Sequence, residues 1–265
     1  MSDHVLLQHR SARHGRIWAS VVSATCLLRS LPLFFRATPR TPLRVLGIVA
    51  LDTLHVLRYS QLLPRQRVSE LALFMDFQGC ANATWDHKVR CEDESQVLRH
   101  RLDQAGLGPC IEEYLGRLQH LESRRPPIGG DHQRFDEVRS YREGVVRLAI
   151  ATAAAIALND HCRKEDIRAA HCDSDVDTLF RILMQCQIID DVLDYAEDRS
   201  AGLPSFLTAS ASLPQAMRWT AEASRDYAAA REPSLGNDVF PIRVALTIAA
   251  AAAQFIVRCR TTPRE

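Results

Sequence analysis

Apolar residues recur along this chain at three- and four-residue intervals almost throughout, the spacing that lines one face of an α-helix. The pattern predicts helices over 16–30, 43–62, 67–88, 94–106, 108–122, 133–159, 174–198, 213–230 and 239–259. No segment alternates apolar and polar positions for long enough to form a sheet. The breaks carry their own chemistry. Pro126-Pro127 with Gly129-Gly130 makes a loop. Asp173-Ser174-Asp175 offers side-chain oxygens to the N–H groups of a first helical turn, and Gly202-Leu203-Pro204 stops the helix it starts. Two stretches, 145–158 and 244–253, are apolar nearly all round, the pattern of a helix central to a large bundle. The expected fold class is all-α. A single helical domain spans 44–265, behind a basic N-terminal extension over 1–43.

Composition changes this picture little. A chain of 265 residues without a Gly/Ser linker suits one domain that buries a large core and can enclose a pocket. The 33 basic and 32 acidic side chains nearly cancel, giving no ground for nucleic acid as a partner. Their distribution is uneven. The extension carries Arg10, Arg13, Arg16, Arg29, Arg36 and Arg40 against Asp3, an arm suited to peripheral contact with a membrane or to an anionic substrate. The eight cysteines show no CxxC spacing and lie mostly in apolar helical stretches, where a free thiol acts as a small hydrophobe. That usage fits a reduced, cytoplasmic setting. Arg29 breaks the apolar stretch near the N-terminus, so no signal-peptide pattern is evident. No apolar run reaches the roughly 20 residues of a membrane span, since Gln254 interrupts the longest one.

The strongest chemical signal is Gln187-Ile188-Ile189-Asp190-Asp191-Val192-Leu193-Asp194, continuing to Asp198. On one continuous helix, Asp190, Asp194 and Asp198 share a face and Asp191 flanks it. Like charges at this spacing repel, and more so beside an apolar interior. A cation offsets that repulsion. Carboxylate oxygens suit Mg²⁺, which uses one or two of them and completes its shell with waters and substrate phosphates.

This segment resembles the second aspartate-rich motif of trans-isoprenyl diphosphate synthases, F-Q-x-x-D-D-x-x-D, with Gln187, Asp190, Asp191 and Asp194 in register. The Arg-Ser-Ala-Gly-Leu-Pro-Ser stretch from Arg199 is similar to the loop that follows it there, with Leu203 where the family usually has Lys. The resemblance implies a class I isoprenoid synthase, a helical bundle around a central apolar cavity. In that fold two acidic helices hold Mg²⁺ and a prenyl diphosphate between them. Synthases of this fold are often dimers, so a homodimer is also expected.

Such a fold requires a second metal helix upstream, and 71–88 is the candidate. Asn82-Ala83-Thr84-Trp85-Asp86 resembles a degraded D-D-x-x-D, with Asp76 as a further carboxylate. Expected metal ligands are therefore Asp76, Asn82, Asp86, Asp190, Asp191, Asp194 and Asp198. Arg139 and Arg142, at i, i+3 on one face, are suited to bidentate phosphate contact. Together with Lys88 and Arg199 they form the expected diphosphate-binding set. By resemblance to terpene cyclases, Asp190, Asp194, Arg142 and Tyr141 are the expected catalytic residues. Candidate cavity-wall aromatics are Phe74, Phe77, Trp85, Tyr141, Phe180, Tyr195, Trp219 and Phe240. No Gly-Gly-Lys-Arg-like site lies between Leu43 and Gln78, and the first motif is weak. Both features favour a terpene synthase acting on one prenyl diphosphate. A prenyltransferase joining two diphosphates, or a catalytically silent helical partner of a synthase, is the alternative.

Overall fold

The computed structural model describes residues 42–86, 92–159, 162–229 and 240–261, with Val21, Ala24, Thr25 and Leu28. Most of the basic extension and of the helix expected over 16–30 lies outside the described residues, as does Lys88. The described residues form ten helices and no strand. They are α1 (Pro42–Tyr59), α2 (Arg65–Trp85), α3 (Glu92–Gln104), α4 (Gly108–Glu122), α5 (His132–Leu158), α6 (Lys164–His171), α7 (Ser174–Leu193), α8 (Tyr195–Ala201), α9 (Leu213–Ala228) and α10 (Phe240–Thr261).

The all-α expectation holds, and the ends fall where local chemistry places them. Asp131 accepts the Arg134 N–H at the start of α5. Asp173 accepts the N–H groups of Asp175 and Val176 at the start of α7. Its carboxylate is anchored in turn by Arg58 from α1, which also reaches Asp175. Gly202 closes α8 at φ 69°, a conformation easy for Gly and strained for other residues. Helix α6 was not predicted. Its buried side chains are only Ile167 and Ala170, too few for periodicity to register. Its first turn is tied by the Arg163 N–H donating to the Asp166 carboxylate.

Helix α5 is the hub. From Leu148 to Ala157 every residue is buried, and the helix packs against α1, α2, α4, α6 and α7. Its alanines allow neighbours to come close. Helix α10 departs from the expected central position. Ile242, Leu246, Ala250, Ala253 and Val257 pack onto α7 and α9, while Ile248 and Phe255 stay exposed. The helix therefore lies at the rim of the bundle.

Two further expectations need correction. The predicted helix over 174–198 breaks at Asp194 (φ −91°, ψ 9°), and a short helix, α8, follows. The cysteines are not all free. Cys110 at the start of α4 and Cys162 before α6 form a disulfide, brought together because α4 and α6 pack against each other. Cys172, Cys186 and Cys259 are free thiols.

Candidate functional site

Because α7 ends at Leu193, the acidic stripe does not continue as one face. Asp190 is exposed and Asp194 half-buried, still one turn apart, with the Asp194 N–H bonded to the Asp190 carbonyl at 2.8 Å. Asp198 is instead carried inside by α8 and is buried. Asp191 points inward and is 1% exposed. Its Oδ1 accepts from Arg142 Nη2 at 2.9 Å and Gln187 Nε2 at 2.7 Å, and its Oδ2 accepts the Phe206 N–H at 2.7 Å. Asp191 thus ties three segments together: the end of α7, the middle of α5, and the buried loop from Leu203 to Ser210. Burial raises its carboxyl to about 6, against the opposing pull of Arg142, the Phe206 N–H and Gln187.

Arg142 is the cation at the centre. Burial by itself would weaken its charge, but Asp191, Tyr141, Asp198 and Asp86 more than offset that and hold its pKa above the ordinary value. Charges from α2, α7 and α8 therefore converge on one guanidinium from α5. Its Nε is buried with no hydrogen-bond partner. A buried donor left unmet costs about 1–3 kcal/mol, and such an atom is an opening for an acceptor.

The other expected residues are placed as follows. Asp86, just past the end of α2, pairs with Arg125 at 3.0 Å, and Arg125 also binds Glu122 at 2.7 Å. Glu122 accepts the Tyr141 hydroxyl at 2.8 Å. Burial and the nearby Glu122 push that hydroxyl well above the usual phenol range, so Tyr141 remains a proton donor. Asp76 and Asn82 are half-buried on α2. Arg139 does not join Arg142. The 60° offset between i and i+3 sends it to Glu143, Tyr227 and Asp226, so its guanidinium bridges α5 to α9. Arg139, expected in the diphosphate-binding set with Arg142, thus has its protein partners on the α9 side. Arg199 is exposed and donates to the Tyr195 hydroxyl at 2.8 Å.

Sequence reasoning missed Arg125, Glu122 and the Phe206 N–H. Arg125 had a faint signal, a charged residue abutting the Pro126-Pro127 loop. The Phe206 N–H had none, being a backbone group in an apolar stretch. An open cleft of about 630 Å³ lies at the α4–α5 connection, lined by Arg124, Arg125, Gln133, Arg134, Ser140 and Tyr141 among others. Through Arg125 and Tyr141 it borders the ion-pair cluster. The candidate wall aromatics Phe74, Phe77, Phe180 and Trp219 are part of the packed core, and Trp85 is exposed.

Among the described residues no three His, Cys, Asp or Glu side chains gather to hold a metal unaided. Two carboxylates one turn apart, Asp190 and Asp194, match the lesser protein share that Mg²⁺ needs when substrate phosphates and water complete its shell. Asp191 does not fit a ligand role, because both its oxygens are taken by protein donors. No family model, curated protein or solved structure matches this chain.

Proposed function

We propose that this protein is a Mg²⁺-dependent class I terpene synthase that ionises one prenyl diphosphate. One observation carries the reading. An i, i+4 carboxylate pair stays outward at the end of α7, beside an inward Asp191 whose cation, Arg142, is also within electrostatic reach of Asp86 just past the end of α2. The Gln187–Asp194 motif supports it from sequence.

Asp190 and Asp194 would hold Mg²⁺, which supplies Lewis-acid withdrawal of electron density from the leaving diphosphate. Arg142 offers its unmet Nε to a phosphate oxygen, and Asp191 fixes the guanidinium that does so. Tyr141, kept protonated, can donate to the same group if its bond to Glu122 opens. The allylic carbon–oxygen bond breaks and its electron pair leaves with diphosphate. The carbocation then cyclises or rearranges and loses a proton. The motif is shared with prenyltransferases, which makes joining two diphosphates the second reading.

Diphosphate release with prenyl diphosphates of increasing length, with and without isopentenyl diphosphate, separates these. A hydrocarbon or alcohol from one substrate alone supports the synthase, and a longer diphosphate supports the second reading. Asp190→Asn and Asp194→Asn should each lower release at least about 100-fold while the helical circular dichroism is kept. Full activity in both variants would remove the metal-site claim. No release from wild type with any substrate would favour the silent helical partner.

A further inference from the structure

Helix α10 is 22 residues long, and its segment Ile242–Arg260 has a mean hydropathy of 1.6. That is long and apolar enough to cross a bilayer by length and composition alone. Only 28% of the segment is buried, so it is not a core helix. One face packs onto α7 and α9. The opposite face is a stripe of Val244, Ala245, Ile248, Ala251, Phe255 and Cys259, with Ile248 63% and Phe255 67% exposed. The charges of the helix are Arg243 near one end and Arg258 and Arg260 at the other, all exposed, and it contains no Asp or Glu.

We infer that the outward face of α10 docks on an anionic lipid bilayer, lying in its interface rather than spanning it. Spanning would require lipid on all sides, whereas α7 and α9 cover one. An apolar face ended by arginines is the pattern of a helix that sinks its side chains about 5–10 Å into the headgroup boundary. The charge pattern selects lipid over a second copy of the chain. Two α10 faces packed together would set arginine against arginine in the antiparallel arrangement, and Arg258 and Arg260 against themselves in the parallel one. Anionic headgroups offer opposite charge at both ends of the helix, to Arg243 and to Arg260. The inference does not rest on the diphosphate reading.

The test is co-sedimentation of the full chain with vesicles of phosphatidylcholine alone and of phosphatidylcholine with phosphatidylglycerol. The wild type should pellet with the anionic vesicles and be released by salt. Each basic residue near such a surface is worth about fivefold in partitioning, so Arg243→Glu/Arg260→Glu should cut binding at least tenfold. Ile248→Asp/Phe255→Asp should abolish it. Both variants change exposed positions, and circular dichroism confirms their folding. If the apolar variant unfolds, the charge variant decides by itself.

A wild type that stays in the supernatant with anionic vesicles overturns the inference, as do variants that pellet like wild type. So does a dimer, seen by light scattering without vesicle binding, that Ile248→Asp/Phe255→Asp makes monomeric, because a second copy would then cover the face. Vesicle binding that occurs only after removal of residues 1–41 overturns it too, since the chain's own N-terminus would then be the occupant.

Discussion

Replacing Asp191 with Asn tests the centre of the structure with an almost unchanged side-chain volume. In the wild type both oxygens accept, from Arg142 and Gln187 on one side and from the Phe206 N–H on the other. An amide has one oxygen. If that oxygen keeps Phe206, the new NH₂ faces the Arg142 guanidinium; if it keeps Arg142, the NH₂ faces the Phe206 N–H. Gln187 can rotate its own amide to compensate, but Arg142 has no acceptor to offer. Breaking a buried ion pair from one side costs about 3–5 kcal/mol. Asp198 and Asp86 still attract Arg142, and burial already disfavours the ionised Asp191, so the loss expected is that of one unmet buried group, about 1–3 kcal/mol. In a domain of this size that lowers Tm by about 2–12 °C.

The double variant Arg142→Met/Asp191→Asn removes the stranded cation. Its Asn oxygen can accept from Phe206 while its NH₂ donates to Gln187. It should recover at least about 1 kcal/mol relative to Asp191→Asn alone. Urea unfolding followed by circular dichroism at neutral pH measures both. A single-variant loss under about 1 kcal/mol, or a double variant that falls by the sum of the two singles, would refute the reasoning.

Further predictions concern pH and the disulfide. Burial raises the Asp191 carboxyl to about 6, above its unfolded value near 4, so the folded state takes up its proton first as pH falls. Stability of the wild type relative to Arg142→Met/Asp191→Asn should therefore rise as pH drops through the window from about 6 to 4, and level off below it. Urea midpoints across that range check it, and a relative loss of stability would show that Asp191 is instead held ionised. The Cys110–Cys162 bond closes a loop of 52 residues in sequence separation. On the chain-entropy account reduction should cost about 4 kcal/mol. Alkylation of the unfolded protein should leave the Cys110 and Cys162 peptides unmodified until reductant is added; their labelling without reductant would show that the bond is absent in solution.

Helical periodicity made most of the fold readable from sequence, because amphipathic faces leave a regular imprint. Helix α6 left none, since two buried side chains in eight residues carry no period. The rim position of α10 was hidden for the opposite reason. Alanine and isoleucine read as interior residues whether or not a neighbour covers them. For the candidate site, the acids around Asp190 stood out by type and spacing. Their separation into an outward pair and two inward residues did not, because it depends on the break at Asp194 and on the buried Leu203–Ser210 loop. Arg139 and Arg142 looked equivalent in the sequence. Their different partners come from α9 and α7, elements remote along the chain.

The position of α5 has a consequence for how this molecule comes apart. Five helices use its surface at once, and the residues from Leu148 to Ala157 have no side left for solvent. Helices on opposite sides of it therefore share one set of contacts, and neither group keeps its interior if the other leaves. Partial opening is confined to elements that pack mainly on helices other than α5, such as α3 and α10. The remainder should open as one cooperative unit, since any smaller opening exposes the alanine segment to water without gaining the chain entropy of full unfolding.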